Sequence, residues 1–451
     1  MRQEVAPTAA EWRTCAAQAN PPGTATRPVK TQGGTIPPPR GRAHDLSMDR
    51  AEVLPAWGRI QVAVAVTLFL CLFAAQAGLI VLTPVLSEVA DDLDVSTAAA
   101  GQLRTVSGLA AGLAAILLGT VGRGTSLRRV LVGGAAGLAI ASIVSSAAPN
   151  FAVLALAQAL LGMSVAALLV GGTVAAAEWV PKEHRTRVLA WALVGPPTAW
   201  IVGMPLAGAI GGIDWRWTWL AVPLVAALVA GAAVAIRPES PRAATSESMT
   251  TALRNPPTAR WVLGELLGSS AWVGTLVFSG ALFTESYGAT STVTGFVLAG
   301  AAAAYVAGNV YFRRIVECRA HILLVRMSLV LAVGVALFGI VRTSLPVSAA
   351  LFAATGFIAG GRTLIGSAVG LDATPEQRLA VMGARAAAAQ LGYFLGSAFA
   401  GGALSAAGYS GFGLASALLF VASAVPFMVD ARKRAGTFQA ALMGPACARE
   451  A

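Results

Sequence analysis

From residue 60 onward the chain is a succession of apolar stretches of about 18 to 26 residues separated by short polar turns, each able to cross a hydrocarbon core of roughly 30 Å as a helix. The pattern predicts twelve spans, over 60–82, 97–118, 130–147, 151–174, 189–210 and 217–236, then 261–283, 292–311, 322–341, 347–371, 379–404 and 411–429. The longest polar gap, 237–260, holds four prolines and follows the sixth span, so the expected organisation is a six-helix half over 57–236, a linker over 237–260, a second half over 261–430 and a tail over 431–451. Residues 1–56 are rich in Pro, Ala, Thr, Gly and Arg without an apolar run, which predicts a disordered extension and leaves no signal-peptide core. Met48 is an alternative start, because 49–59 already forms a polar lead into the first span.

Composition agrees with an all-α integral membrane protein. Hydrophobic residues make up 56% and charged residues 12%, against about 25% in soluble domains, which excludes an ordinary soluble enzyme. The net charge of +11 does not point to nucleic acid, because the basic residues punctuate apolar runs instead of clustering on a soluble face. Cys15, Cys71, Cys318 and Cys447 lie far apart, and His44, His184 and His321 fall in the tail or loops. No metal site, cofactor or convergent catalytic group is expected, so the chain does not read as an enzyme.

Charge also orients the chain. Loops after even-numbered spans hold Arg123, Arg128, Arg129, Lys182, Arg185, Arg187, Arg237, Arg242, Arg254, Arg260, Arg313, Arg314, Arg319 and Arg378, whereas the opposite loops hold only Arg216 and Arg342 beside the acidic Glu88, Asp91, Asp92 and Asp94. Lys and Arg in short loops stay in the cytoplasm, which places both termini inside a cell inner (plasma) membrane. The halves also match: Gly162 and Gly356 are 194 apart, as are Pro181 and Pro375, while Arg185 and Arg378, Gly203 and Gly396, and Gly208 and Gly401 are 193 apart. Five ordered matches offset by one deleted loop residue predict a duplicated six-helix unit.

The fifth span carries Gly203-Met204-Pro205-Leu206-Ala207-Gly208, then Asp214-Trp215-Arg216-Trp217 at its outer end. This resembles the Gly-x-Pro-x-x-Gly and Trp-Arg pattern of the antiporter branch of the major facilitator superfamily, especially sugar-efflux and chloramphenicol-type exporters. Gly119, Arg128 and Arg129 keep the frame of that superfamily's gating turn between spans two and three, with Arg123 where an Asp is expected and Ser126 where a Gly is expected. Glu178, ahead of Pro181 and Arg185, resembles the acid that closes span four, and is either a gate partner for Arg128 or Arg129 or a solvated loop charge. The resemblance covers about 60–430. It implies two pseudo-symmetric six-helix halves that rock around a midplane cavity, working as a monomer in the lipid bilayer and exporting a drug-like or metabolite molecule by proton antiport. A proton-independent carrier or importer shares the fold, and a non-transporting sensor remains a third class.

Ionisable groups inside spans mark candidate sites, since each costs about 2.5 to 3.5 kcal/mol at mid-helix. Glu265 is the one acid within a predicted span, either a proton carrier or, about four residues in, a snorkelling group. Arg362 falls near the middle of span ten, and is expected to face the cavity if that span is correctly set. With Arg104 in span two it would hold polar or anionic groups of a substrate. Arg385 in span eleven reads as a second gate charge or a snorkeller. In the resembled fold spans three, six, nine and twelve are peripheral, and Gln76, Gln158, Gln390, Trp200, Trp272, Tyr305 and Tyr393 all fall on the other eight, as candidate substrate contacts.

Overall fold

The computed structural model describes residues 58–121, 126–180, 184, 188–189, 191–236, 249–313, 320–371 and 375–443. The expected N-terminal extension, Met48 and the candidate gate residue Arg185 lie outside them. Among the described residues ten helices are long and apolar enough to cross a membrane. One of them, Pro375–Met443, is broken at Ala407 and Gly408 into two, and the 17-residue helix Gly195–Gly211 adds the fifth span, which together match the twelve expected crossings. Gly408 sits at φ 61°, a left-handed conformation open to glycine, which is what turns the chain back there.

Side chains define several boundaries. Asn150 starts the fourth span by accepting from the Val153 amide at 3.0 Å, and Thr290 starts the eighth by accepting from Val293 at 3.3 Å. The seventh span, Pro256–Tyr287, begins about five residues earlier than the hydrophobic pattern predicts, inside the expected linker. Pro256 and Pro257 explain this: proline at the first helical positions gives up an amide that has no helical partner and presets φ. Further along, Pro205 lies inside the fifth span, as its motif requires.

Small residues set how closely the helices approach, and they do so twice over. A methyl group added at Gly162 would collide with the Ser107 carbonyl of span two, and one at Gly356 would crowd the Ala301 carbonyl of span eight. Both the glycines and the carbonyls they meet are 194 residues apart. Gly208 of span five lies against the Ser291 carbonyl of span eight, while Gly401 of span eleven lies against span two at Gln102 and Ala98. These crossings reproduce each other with the halves exchanged, so the sequence repeat corresponds to a pseudo-twofold arrangement of two six-helix halves.

The halves approach each other from the end at which Thr97 begins span two to about the middle of that span. At the Thr97 end Gly208 approaches span eight, and Gly280 of span seven approaches the Thr83 carbonyl beyond span one; deeper, Gly108 and Gly112 of span two approach Tyr393 and Leu391 of span eleven. Polar groups cross the same seam. Thr97 donates to Glu285, Gln102 donates to the Ser397 carbonyl at 3.3 Å, and Glu88 is hydrogen-bonded to the Ser291 side chain. The seam is therefore sealed at the Thr97 end.

Candidate functional site

Three groups of residues lie in the interior. The first is an ion cluster in the second half. Glu265 is 2% exposed; its Oε2 accepts from Arg385 Nε at 2.8 Å and its Oε1 lies 3.4 Å from Arg362 Nη1. Arg362 donates further to Ser328 Oγ and to the Gly264 carbonyl, both at 3.0 Å, and its guanidinium stands 5.7 Å from the Phe427 ring. Arg385 also donates to the Thr363 carbonyl at 3.1 Å and keeps 21% of its side chain exposed.

The helix ends explain why the three charges meet. Glu265 is about nine residues from the start of span seven, Arg362 about nine from the end of span ten and Arg385 about ten from the start of span eleven, all roughly 14 Å from the Arg128 end. Because span seven starts early, Glu265 is too deep to snorkel. Arg362 lies among spans seven, nine, ten and twelve, inside the second half, instead of facing the space between the halves as expected; Arg385 is the member with the more exposed side chain. Glycines make the room: an added methyl at Gly268 would strike the Arg362 guanidinium, and one at Gly366 would crowd the Glu265 carboxylate.

The second group is aromatic and spans both halves. Trp200 of span five faces Tyr305 of span eight at 5.7 Å, Tyr305 stacks with Trp272 of span seven at 6.2 Å, and Trp272 stacks with Phe352 of span ten at 6.0 Å. Trp200 Nε1 donates to Gln76 Oε1 at 3.2 Å. Tyr305 lies beside Thr363 and within the electrostatic reach of Glu265, Arg362 and Arg385, which places the aromatic group next to the ion cluster. Trp272 Nε1 is buried without a hydrogen-bond partner.

The third group belongs to the first half. Arg104, 1% exposed, donates from Nη1 to Gln158 Oε1 at 3.4 Å, and Gln158 donates to Ser145 Oγ at 3.2 Å. Its Nη2 is buried without a partner, and Tyr393 lies near it from span eleven. Gln390 is buried with an unpartnered Oε1.

The expected gate at the Arg128 end takes a different form among the described residues. Arg128 donates to the Ile236 carbonyl at the end of span six, and the four ion pairs found include neither Glu178 nor Arg129. Gly119 falls within span two; in span five Gly203 lies beside Ile80 of span one and Pro205 beside Gly295 of span eight. Arg216 of the Trp-Arg pattern pairs with Asp92 at 2.6 Å. The sequence reading missed the acids at the sealed seam. Glu285 accepts from Thr97 and from Tyr409 at 3.0 Å, and burial pushes Tyr409 up. Burial likewise raises the Glu88 carboxyl above the usual range. At helix ends these groups look like loop charges; Gly366 and Gly268, which face Glu265 and Arg362, are a sequence signal that went unread.

Comparison with known proteins follows the same lines. Residues 68–284 match the family model described as Major Facilitator Superfamily. The transcription regulatory protein OpdE of Pseudomonas aeruginosa is 26% identical over 87% of this chain and 98% of its own length. A chloramphenicol efflux pump of Mycobacterium tuberculosis is 32% identical over 34% of this chain, which spans only 35% of that pump. A crystal structure of a bacterial homologue of the human lysosomal transporter Spinster, in an inward-facing and occupied conformation, superposes with a TM-score of 0.68 at 15% identity, over 84% of this chain and 96% of that one.

Proposed function

We propose that this chain, whose residues 68–284 match the Major Facilitator Superfamily model, is a secondary active transporter which exports a small organic compound, drug-like or metabolic, by alternating access. The observation that carries this reading is the interior itself: aromatic side chains from both halves meet beside a buried ion cluster, beneath a seam whose Thr97 end is closed by glycine contacts and hydrogen bonds. With the Arg128 end in the cytoplasm, as loop charge dictates, the structure is closed to the outside. Its place is the inner membrane, with both termini cytoplasmic, and it works as a monomer. Export, rather than uptake, is supported by the similarity to the efflux pump over its matched third.

The drive expected from sequence is proton exchange, and Glu265 is its carrier. One observation favours a second form of the reading. Glu265 Oε2 accepts from Arg385, and Oε1, which accepts no hydrogen bond, lies 3.4 Å from Arg362, so a proton arriving there competes with two guanidinium charges. A carrier that runs on substrate and membrane potential, without proton exchange, leaves the cluster intact.

A susceptibility panel on a strain overproducing the chain tests export. Tolerance to at least one compound should rise, and Gly208→Val, which prevents the seam from closing, should abolish the rise. Collapsing the pH gradient in everted vesicles separates the two drives: proton exchange predicts that transport stops, and that Glu265→Gln removes the dependence. A panel with no change, together with liposomes that bind but never translocate a compound, would establish a sensor in place of a transporter.

A further inference from the structure

The interior is unbalanced in charge. Among the described residues the buried Arg362 and the half-buried Arg385 share the single carboxylate of Glu265, and the buried Arg104 has the neutral Gln158. An unpaired cation in a bundle core is costly, and a bound anion is what relieves it. Of the three, Arg385 has the most open side chain; it donates to the Thr363 carbonyl, and Thr363 lies beside Tyr305, whose ring neighbours both Trp200 and Trp272. Trp272 adds a buried indole N–H with no partner in the same aromatic group. Glu265 and Trp272 are seven residues apart on one face of span seven, about 10 Å along the axis, so a flat molecule about two helical turns long reaches from the indoles to the ion cluster.

We propose that the substrate is a planar aromatic monoanion, its ring stacked against the Trp200, Tyr305 and Trp272 surfaces and its acid group held by Arg385. Such a ligand supplies the charge that the cluster lacks, an acceptor for the Trp272 indole, and apolar faces matching the rings. Organic cations are disfavoured by the same excess charge. The inference rests on the transporter reading in its proton-independent form. A proton on Glu265 would free Arg385 for the anion, so proton and anion would bind together and not in exchange.

The test uses the purified full chain in detergent, titrated by calorimetry with 2-naphthoate and with its neutral isostere 2-naphthamide. Naphthoate should bind at least about tenfold tighter than the amide. Arg385→Gln should remove that preference, Arg385→Lys should keep most of it, and Glu265→Gln, which frees both guanidiniums, should strengthen naphthoate binding. Equal binding of the two probes, absence of binding, or naphthoate weakened by Glu265→Gln would overturn the anion assignment. The last comparison decides the matter even if Arg385→Gln fails to fold. The susceptibility panel is independent of these probes, so a failed anion assignment leaves export standing, and a failed panel with selective naphthoate binding identifies an anion sensor.

Discussion

The first half buries Arg104 against the neutral amide of Gln158, whereas the second half buries Glu265 between Arg362 and Arg385, although the two halves repeat the same helix crossings. Backbone approach and polar content have therefore diverged separately. The crossings depend on where side chains are missing, and a repeat preserves them as long as glycine stays in register. Charge is added by single side chains, and each half has its own. In the second half the ion cluster ties spans seven, ten and eleven together; in the first, Arg104 keeps one nitrogen unpartnered. The lesson is that a pseudo-symmetric frame can have one half fixed by ion pairs and the other left with spare positive charge.

The sharpest way to break this comparison is to remove the shared carboxylate. Glu265→Ala leaves two guanidiniums without their counter-ion, and the purified protein should lose about 3 to 5 kcal/mol, read as a clear fall in melting temperature in detergent. An unchanged melt would mean that its charges do not hold the second half together. Next in size are the seam glycines. Gly208→Ala pushes a methyl group into the Ser291 carbonyl and should cost about 1 to 3 kcal/mol, whereas Gly401→Ala meets mainly the movable Gln102 amide and should cost less. Equal costs would show that the two crossings are alike in energy as well as in position.

Arg104→Met should change stability by less than about 1 kcal/mol, or raise it, because it removes a buried cation that has no acid partner. Arg362→Met, measured beside it, should destabilise clearly, since it strips Glu265 of one partner. The smallest effect concerns the seam. Burial raises the Glu88 carboxyl in the sealed state, so its protonated form favours closure; closure is fully supported at acid pH and weakens as pH rises through the raised value. Maleimide labelling of Ser397→Cys in a cysteine-free background, corrected against an exposed reference cysteine, should increase modestly between about pH 5 and pH 8. Glu88→Gln should flatten that increase.

Much of the frame was legible in the sequence. Each apolar run is long enough to cross the hydrocarbon core, and lipid forces it into a helix, so crossings could be read from length alone. Boundaries at polar turns were less secure: Pro256 and Pro257 read as linker because proline usually ends order, yet at a helix start it extends order instead. That shift of about five residues is why Glu265 looked shallow. Arg362 is a different failure. Span ten is apolar over most of its surface, so periodicity could not say whether position 362 turns towards the cavity or into its own half. Glu88 and Glu285 escaped notice because a carboxylate at a helix end has the same sequence signature whether it meets water or the opposite half.

The sequence by itself determined the number of crossings, their duplication and the rarity of ionisable groups among them, because each follows from the cost of placing a polar group in hydrocarbon. Tertiary structure alone decided which of those few groups meet. Glu265, Arg362 and Arg385 are up to 120 residues apart, and only the packing of spans seven, ten and eleven at one depth brings them within hydrogen-bond and ion-pair distance. Pairing of charges depends on rotation and depth to within an ångström or two, and neither is encoded in a helix that is apolar all round.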